Sequence, residues 1–270
     1  MQHPLIAFVH TEKTGGITLN RVLQKSYGAR HCDVQTIAVR QKEFRDRDFK
    51  LVKMAHPRLD SIAGHKIRPY VDLSGDVKYF TFLREPVKRC ISHYQFQVHN
   101  MGQSHPYDYW IGNEHYRNYQ TQKIAGVQDV EKAIEILEER FLFVGLTEKF
   151  DESLGLLNRL LENRLDISYD RHNVSPDNAI RDRIMGDPGL MELTRAANEL
   201  DRQLFEYVVN DLYPRYQARA AALPETGPHH AGTSGLPLNR LYRNVVYKPL
   251  LKAARLVTGG RRSAPVAGSA

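Results

Sequence analysis

The sequence predicts an α/β protein with a central, mainly parallel sheet flanked by helices in three layers, and a basic helical extension at the C-terminal end. Three observations carry that prediction. The short apolar runs LIAFVH (5–10) and FLFVGL (141–146) read as buried strands, and VKYFTFL (77–83), β-branched and aromatic, reads as another strand. Each is followed by a stretch with apolar residues at helical spacing, and strands that alternate with helices build a parallel sheet. The 270 residues are 41% apolar, enough to bury one large core.

The elements follow in order. ITLNRVLQKSY (17–27) carries Ile17, Leu19, Val22 and Leu23 on a helical period. FKLVKMAH (49–56) mixes apolar and basic residues and reads as a further strand. VKYFTFL runs into Arg84, Glu85 and Pro86. Proline fits the first position of a helix, where its missing N–H costs nothing, and VKRCISHYQFQVH supplies that helix. Thr147, after FLFVGL, is the expected N-cap of a helix with Phe150, Leu154, Leu157 and Leu161 on one face. ELTRAANELDRQLFEYVVNDLY (192–213) has the clearest long helical pattern.

Composition then shifts. Residues 1–217 form the expected domain, 218–235 an Ala/Pro/Gly/Ser-rich linker, 236–258 a basic amphipathic segment and 259–270 a disordered tail. LPLNRLYRNVVYKPLLKAARLV (236–257) places Leu241, Val245, Leu250, Leu251 and Leu256 among five Lys or Arg and no acid. That pattern fits a helix packed on its own domain or a partner before it fits the alternative, one in peripheral contact with an anionic membrane.

An excess of 38 Lys and Arg over 31 Asp and Glu gives a net charge of +7 and favours an anionic partner. Cys32 and Cys90 do not make a disulfide framework and read as reduced thiols. No apolar run approaches the ~20 residues that span a bilayer. The first apolar run begins at residue 5, which leaves no room for a signal peptide, and the expected location is cytoplasmic.

Two turns at strand carboxyl ends carry chemistry. In HTEKTGGITL (10–19), Gly15 and Gly16 let backbone come close to an anion at a helix N-terminus, while Thr14 and Thr18 add hydroxyls. Lys13 adds a mobile charge suited to an oxygen that gains charge during a reaction. The layout is P-loop-like, but lysine precedes the glycines, against the order of the nucleoside-triphosphate loop. The same spacing fits an ordinary glycine turn with a solvated lysine. In FLREPVKRCISHY (82–94), Arg84 leaves the strand end, and Arg89 and Ser92 share a helix face, a set able to hold a second phosphate. Together the turns suit a nucleotide with phosphates on both sides of its ribose.

HTEKTGGITL resembles the H-x-P-K-T-G-G-T-S loop of carbohydrate sulfotransferases that use 3′-phosphoadenylyl sulfate (PAPS), and FLREPVKRCISHY their R-[DE]-P-x-x-R-x-x-S-x-Y site. FLFVGLTEKFDESLGLL (141–157), NYQTQKIAG (118–126) and RHNVSP (171–176) are similar to later segments of the heparan and uronyl 2-O- and 6-O-sulfotransferases, in the same order. The resemblance implies a P-loop-like fold in which Lys13, Thr14, Gly15, Gly16 and Thr18 hold the 5′-phosphosulfate. It implies that Arg84 and Ser92, with Arg89 as a further candidate, hold the 3′-phosphate, and that Gln120 and Thr121 are cofactor-side contacts. Three positions depart from the pattern: Glu12 stands where the family has proline, Gln122 replaces an arginine, and Ile17 replaces a small polar residue.

On the acceptor side, His65 in DSIAGHKIRPY stands in the Gly-His context where relatives carry a catalytic histidine, and is the expected base, with His56 as runner-up. Lys66 and Arg68 beside it suit an acidic acceptor or a solvated loop. Residues 94–120, rich in aromatics and histidines, are an expected acceptor wall. The implied reaction moves a sulfuryl group from PAPS to a hydroxyl of a glycan or glycolipid, with adenosine 3′,5′-bisphosphate as product and Lys13 at the leaving group. No Asp-rich or His/Cys cluster calls for a metal. Two other classes compete. A P-loop-like kinase or nucleotide hydrolase needs a lysine after the glycines and an acidic strand end for Mg²⁺, and VKYFTFL ends in Arg84. A non-enzymatic module binding anionic glycan or membrane would not need two phosphate turns. No zinc-finger spacing, RNA-recognition motif or basic zipper points to nucleic acid.

Overall fold

The computed structural model describes residues 4–162, 164–169, 178–224 and 235–259. RHNVSP, most of the expected linker and the tail beyond residue 259 lie outside the described residues. Five strands form one parallel sheet: β1 (Leu5–Val9), β2 (His31–Asp33), β3 (Ser61–Gly64), β4 (Val77–Leu83) and β5 (Phe141–Leu146), in the order β2-β3-β1-β4-β5. The chain builds β2 and β3 on one side of β1, then crosses to build β4 and β5 on the other. In such sheets ligands bind at the carboxyl ends of the strands beside the point where the order reverses.

Helices α1 (Gly16–Tyr27), α2 (Asp46–Ala55), α3 (Pro86–Met101), α4 (Tyr107–Gly112), α5 (Tyr119–Ala125), α6 (Val130–Arg140) and α7 (Phe150–Leu160) connect and cover the strands. They are followed by α8 (Ala179–Gly186), α9 (Pro188–Ala197), α10 (Glu199–Tyr207), α11 (Tyr213–Ala221), α12 (Leu236–Tyr242) and α13 (Lys248–Gly259). The main core joins Ile6, Phe8, Phe80, Phe82 and Phe143 of the sheet to Leu19 and Val22 of α1 and Leu154 and Leu157 of α7. All of Ile6, Ala7, Phe8 and Val9 are buried, which is why β1 reads as a continuous apolar run rather than an alternating one. A second core gathers Cys90, Ile91, Tyr94, Tyr107 and Trp110 with Ile184 and Ala197.

Three expectations are corrected. FKLVKMAH is the end of helix α2 and its C-cap His56, not a strand: Phe49, Val52 and Ala55, three apart, are buried, while Lys50, Lys53 and Met54 are exposed. The Asp48 carboxylate accepts the Arg45 N–H at 2.9 Å and the Ile37 N–H at 2.7 Å, which fixes where the helix starts. The helical pattern of 192–213 is broken at Asn198, where α9 ends and α10 begins. Asn198 turns its amide back to the Thr194 carbonyl, and the Asn118 side-chain Oδ1 takes the Leu200 N–H at the start of α10. Thr147 opens a 3₁₀ turn (Thr147–Lys149) and donates its hydroxyl to the Leu83 carbonyl at 2.9 Å, so it ties the end of β5 to the end of β4 instead of capping α7.

Helix α11 continues into the stretch read as linker, with the Ala220 carbonyl held by Arg159 Nε at 2.9 Å. The π turns Val208–Leu212 and Arg243–Tyr247 each end two residues before a proline, Pro214 and Pro249. Proline lacks the N–H of a regular turn and its ring crowds the carbonyl four residues earlier, and a widened turn relieves both.

The basic segment packs beside β2. Asn239 is buried and donates to the carbonyls of Gly28 and His31, both at 3.0 Å, and Tyr247 OH accepts the Gln35 N–H at 2.9 Å. An edge strand is thereby covered. Asn239→Ala removes a buried side chain and both of its hydrogen bonds, and is expected to destabilise the domain by about 1–3 kcal/mol in urea unfolding. An unchanged midpoint would show that the Asn239 hydrogen bonds contribute nothing to the fold.

Candidate active site

Three strand ends converge. Val9 of β1 pairs with Gly64 of β3, so His10 and His65 leave the sheet side by side and stack with ring centroids 3.8 Å apart. β4 delivers Arg84 on the other side of β1. They open on a cleft of about 1850 Å³ whose lining includes Lys13, Gly15, Gly16, Thr18, Arg84 and Ser92, with His65 on its wall.

Two residues of the first turn have left-handed backbone, Lys13 at φ 70° and Gly15 at φ 81°. A Cβ on Gly15 would meet the Phe150 ring at 2.6 Å, and one on Gly16 would meet His10 Nε2 at 1.9 Å. Both glycines are therefore required by rings packed on the turn, besides leaving the helix N-terminus open to an anion. Thr18 lines the cleft, but Thr14 is fully buried and donates to the Thr11 carbonyl at 3.0 Å, so its hydroxyl folds the turn. Arg84 Nη1 donates to the Lys13 carbonyl at 3.2 Å. The Lys13 pKa is lowered by burial and then by Arg84, and that of Arg84 by burial first. Two cations crowded this way are relieved by an anion between them.

Of the other expected cofactor-site residues, Ser92 lines the cleft, while Arg89, Gln120 and Thr121 are fully buried and do not. Gln120 holds Arg84 from behind: its carbonyl oxygen accepts the Arg84 N–H and its amide donates to the Arg84 carbonyl, both at 3.0 Å. The backbone N–H groups of Gln120 and Thr121, at the start of α5, and the Thr121 hydroxyl all donate to the buried Asp201 carboxylate at 2.8–3.0 Å. Arg89 lies over the Tyr119 ring, 4.8 Å from its centroid, with Nη1 3.4 Å from His93 Nδ1.

The acceptor side is organised by Glu12. Its Oε1 lies 3.2 Å from His65 Nδ1. Its Oε2 accepts the Tyr119 hydroxyl at 2.5 Å and lies 3.4 Å from Lys123 Nζ, which also donates to the His65 carbonyl at 2.7 Å. Burial works against the Glu12 charge, but Lys123, the His65 contact and the Tyr119 hydrogen bond outweigh it and hold its pKa well below the usual carboxylate range. Burial, opposed by Glu12, brings Lys123 down to about 8. The His65 side chain keeps 54% of its surface exposed on the cleft wall, with Nδ1 turned to Glu12.

His56, the other candidate base, is buried beneath Tyr242 and donates from Nδ1 to the Ala29 carbonyl at 2.8 Å, away from the cleft. Arg68 bonds the His65 and Ile67 carbonyls of its own loop, and Lys66 ties that loop to Thr36 and the Val39 carbonyl. The expected acceptor wall divides: Phe96, His99, Met101 and His115 line the cleft, while Tyr94, Tyr107 and Trp110 fill the second core. Tyr119, inside the expected acceptor wall, does line the cleft, while Lys123 and Asp201 escape sequence reasoning because each acts through a neighbour distant in the chain. Glu12 carried a signal, as a carboxylate at an anion site that the motif did not explain.

Burial, then the His65 charge, lowers the His10 pKa to about 3; burial, then Arg89, lowers that of His93 to about 3. Both stay neutral in the folded protein while the unfolded chain protonates near 6.5, so stability falls as pH drops below 6.5. Each contributes a slope of about 1.4 kcal/mol per pH unit there. Urea unfolding between pH 6.5 and about 5 is expected to show this loss, and His10→Asn or His93→Asn to flatten it; equal slopes in both variants and the parent would refute the assignment.

Against known proteins, a sequence profile described as "Sulfotransferase family" matches residues 2–172. The crystal structure of a sulfotransferase from Alicyclobacillus acidocaldarius aligns at a TM-score of 0.41 and 14% identity, covering 75% of this chain and 97% of that one. No curated protein matches at a significant level. The profile spans more than half of the chain, including the turns that carry Lys13, His65 and Arg84, and on that match the chain belongs to the sulfotransferase family.

Proposed function

We propose that this sulfotransferase moves a sulfuryl group from PAPS to a hydroxyl of a glycan or glycolipid, with His65 as base and Lys13 at the leaving group. The observation that carries the reading is the meeting of Lys13, Arg84 and His65, from three strand ends, around one cleft. The residues fit the donor: the first turn of α1, Lys13 and Thr18 suit a 5′-phosphosulfate, and Arg84 with Ser92 suits a 3′-phosphate. Bound there, PAPS supplies the sulfuryl group and a bisphosphate leaving group.

The chain's part is positioning and charge. Glu12 fixes the His65 ring through Nδ1, so that Nε2 takes the proton of the acceptor hydroxyl. Lys13, half-buried, meets the negative charge that grows on the departing oxygen. Gln120 keeps Arg84 aimed by gripping its backbone on both sides. The cleft exceeds the ~300–1,000 Å³ of pockets for one small ligand, which supports a second, bulky substrate. Exposed Ile17, Phe96 and Met101 on its lining suit the apolar faces of a sugar or lipid.

Transfer of ³⁵S from labelled PAPS into a cell-extract acceptor tests the reading, alongside calorimetry with adenosine 3′,5′-bisphosphate in EDTA. Expected are a labelled, hydrolysable sulfate ester and tight binding of the bisphosphate without Mg²⁺; binding of ATP with Mg²⁺ in its place would overturn it. Lys13→Ala is expected to lower kcat about 10²–10³-fold, and retained turnover would remove its role. Glu12→Gln is expected to lower kcat about 10–100-fold with the KM for PAPS little changed; a rise in that KM at constant kcat would make Glu12 a determinant of donor affinity instead.

A further inference from the structure

The basic segment has a second apolar face that its packing on the domain does not use. Asn239, Tyr247 and Leu251 are buried and hold the segment in place. Leu238, Leu241, Val245, Leu256 and Val257 are instead between 58% and 73% exposed. Leu238, Leu241, Val245, Pro249, Lys252 and Leu256 follow one another at intervals of three or four, so they form one stripe along a continuous helical run. The run from 236 to 259 is about 35 Å long.

The charges are sorted between the two faces. Arg243 and Arg255 turn inward, Arg243 Nη1 to 3.6 Å from Asp33 and Arg255 Nη2 to the Thr36 carbonyl at 2.9 Å. Arg240, Lys248 and Lys252 remain exposed with the stripe, and no acidic residue occurs between 236 and 259. An apolar ridge studded with positive charge that meets no acidic partner among the described residues matches the interface of an anionic bilayer, whose acyl boundary takes the apolar residues and whose headgroups take the cations. A second copy fits less well, because a two-fold contact through this stripe would set the same cations against one another. No helix among the described residues is long and apolar enough to cross a membrane, so the contact is with the surface.

We propose that the outer face of α12–α13 docks this protein on an anionic lipid surface, through Leu238, Leu241, Val245, Leu256 and Val257 with Arg240, Lys248 and Lys252.

Co-sedimentation of the full chain with phosphatidylcholine vesicles, with and without phosphatidylserine, tests this. Binding is expected only to the serine-containing vesicles and to weaken at high salt. Leu241→Glu with Leu256→Glu is expected to weaken it about tenfold or more, and Lys248→Gln with Lys252→Gln about tenfold. All four side chains are exposed, so these variants should unfold at the parent's midpoint, which is measured alongside. Absence of binding to anionic vesicles overturns the proposal, as does equal binding by the leucine variant. So does a concentration-dependent dimer, lost in the leucine variant, in a chain that ignores vesicles. Sulfuryl transfer to a soluble acceptor is read separately, so failure here leaves the catalytic reading untouched.

Discussion

Glu12 places a carboxylate one residue before Lys13, at the mouth of a cleft whose other features attract anions. Left uncompensated, that charge would repel the ligand and resist burial. Lys123, the Tyr119 hydroxyl and His65 Nδ1 surround it instead, each within 3.4 Å. The remaining parts of the site depend on this cluster, because two of its three partners come from α5 and the third is the proposed base. A buried ion pair of this kind adds little to stability in itself, but it leaves a single arrangement in which every charge is satisfied.

Helix α5 is only seven residues long and serves both halves of the cleft. Tyr119 and Lys123 face Glu12 and the His65 loop, while Gln120 grips the backbone of Arg84. So short a helix would be marginal alone. Asp201, from α10, satisfies its first N–H groups and places negative charge at its positive end. Base and phosphate site are thus held by one rigid element, itself anchored by a residue some eighty positions further along the chain.

Much of this is legible in the sequence. Buried parallel strands announce themselves as short apolar runs, and β1, β4 and β5 stand where those runs predict. β2 and β3, three and four residues long, are too short to show a period. FKLVKMAH was ambiguous for the opposite reason, since its three buried residues fit a helix only once Asp48 is seen to close the turn before it. At the site, the residues that face the cleft sat in motifs: Lys13, Gly15, Gly16, Thr18, Arg84, Ser92 and His65. The same motifs contain Thr14, Arg89, Gln120 and Thr121, which work from below the surface. Spacing along a helix says which residues are neighbours, not which of them meets solvent. Partners such as Glu12 and Lys123, 111 residues apart, become visible only when the fold joins them.

The central claim is that Glu12 fixes the His65 imidazole through Nδ1 and leaves Nε2 for the cleft. Nitrogen-15 NMR of histidine-labelled protein, with His65 assigned by its loss in His65→Asn, reads the tautomer directly. The expected result is a neutral ring with its proton on Nδ1 and a bare Nε2, a preference that Glu12→Gln weakens. A proton on Nε2 in the parent, or an unchanged tautomer in Glu12→Gln, would contradict it.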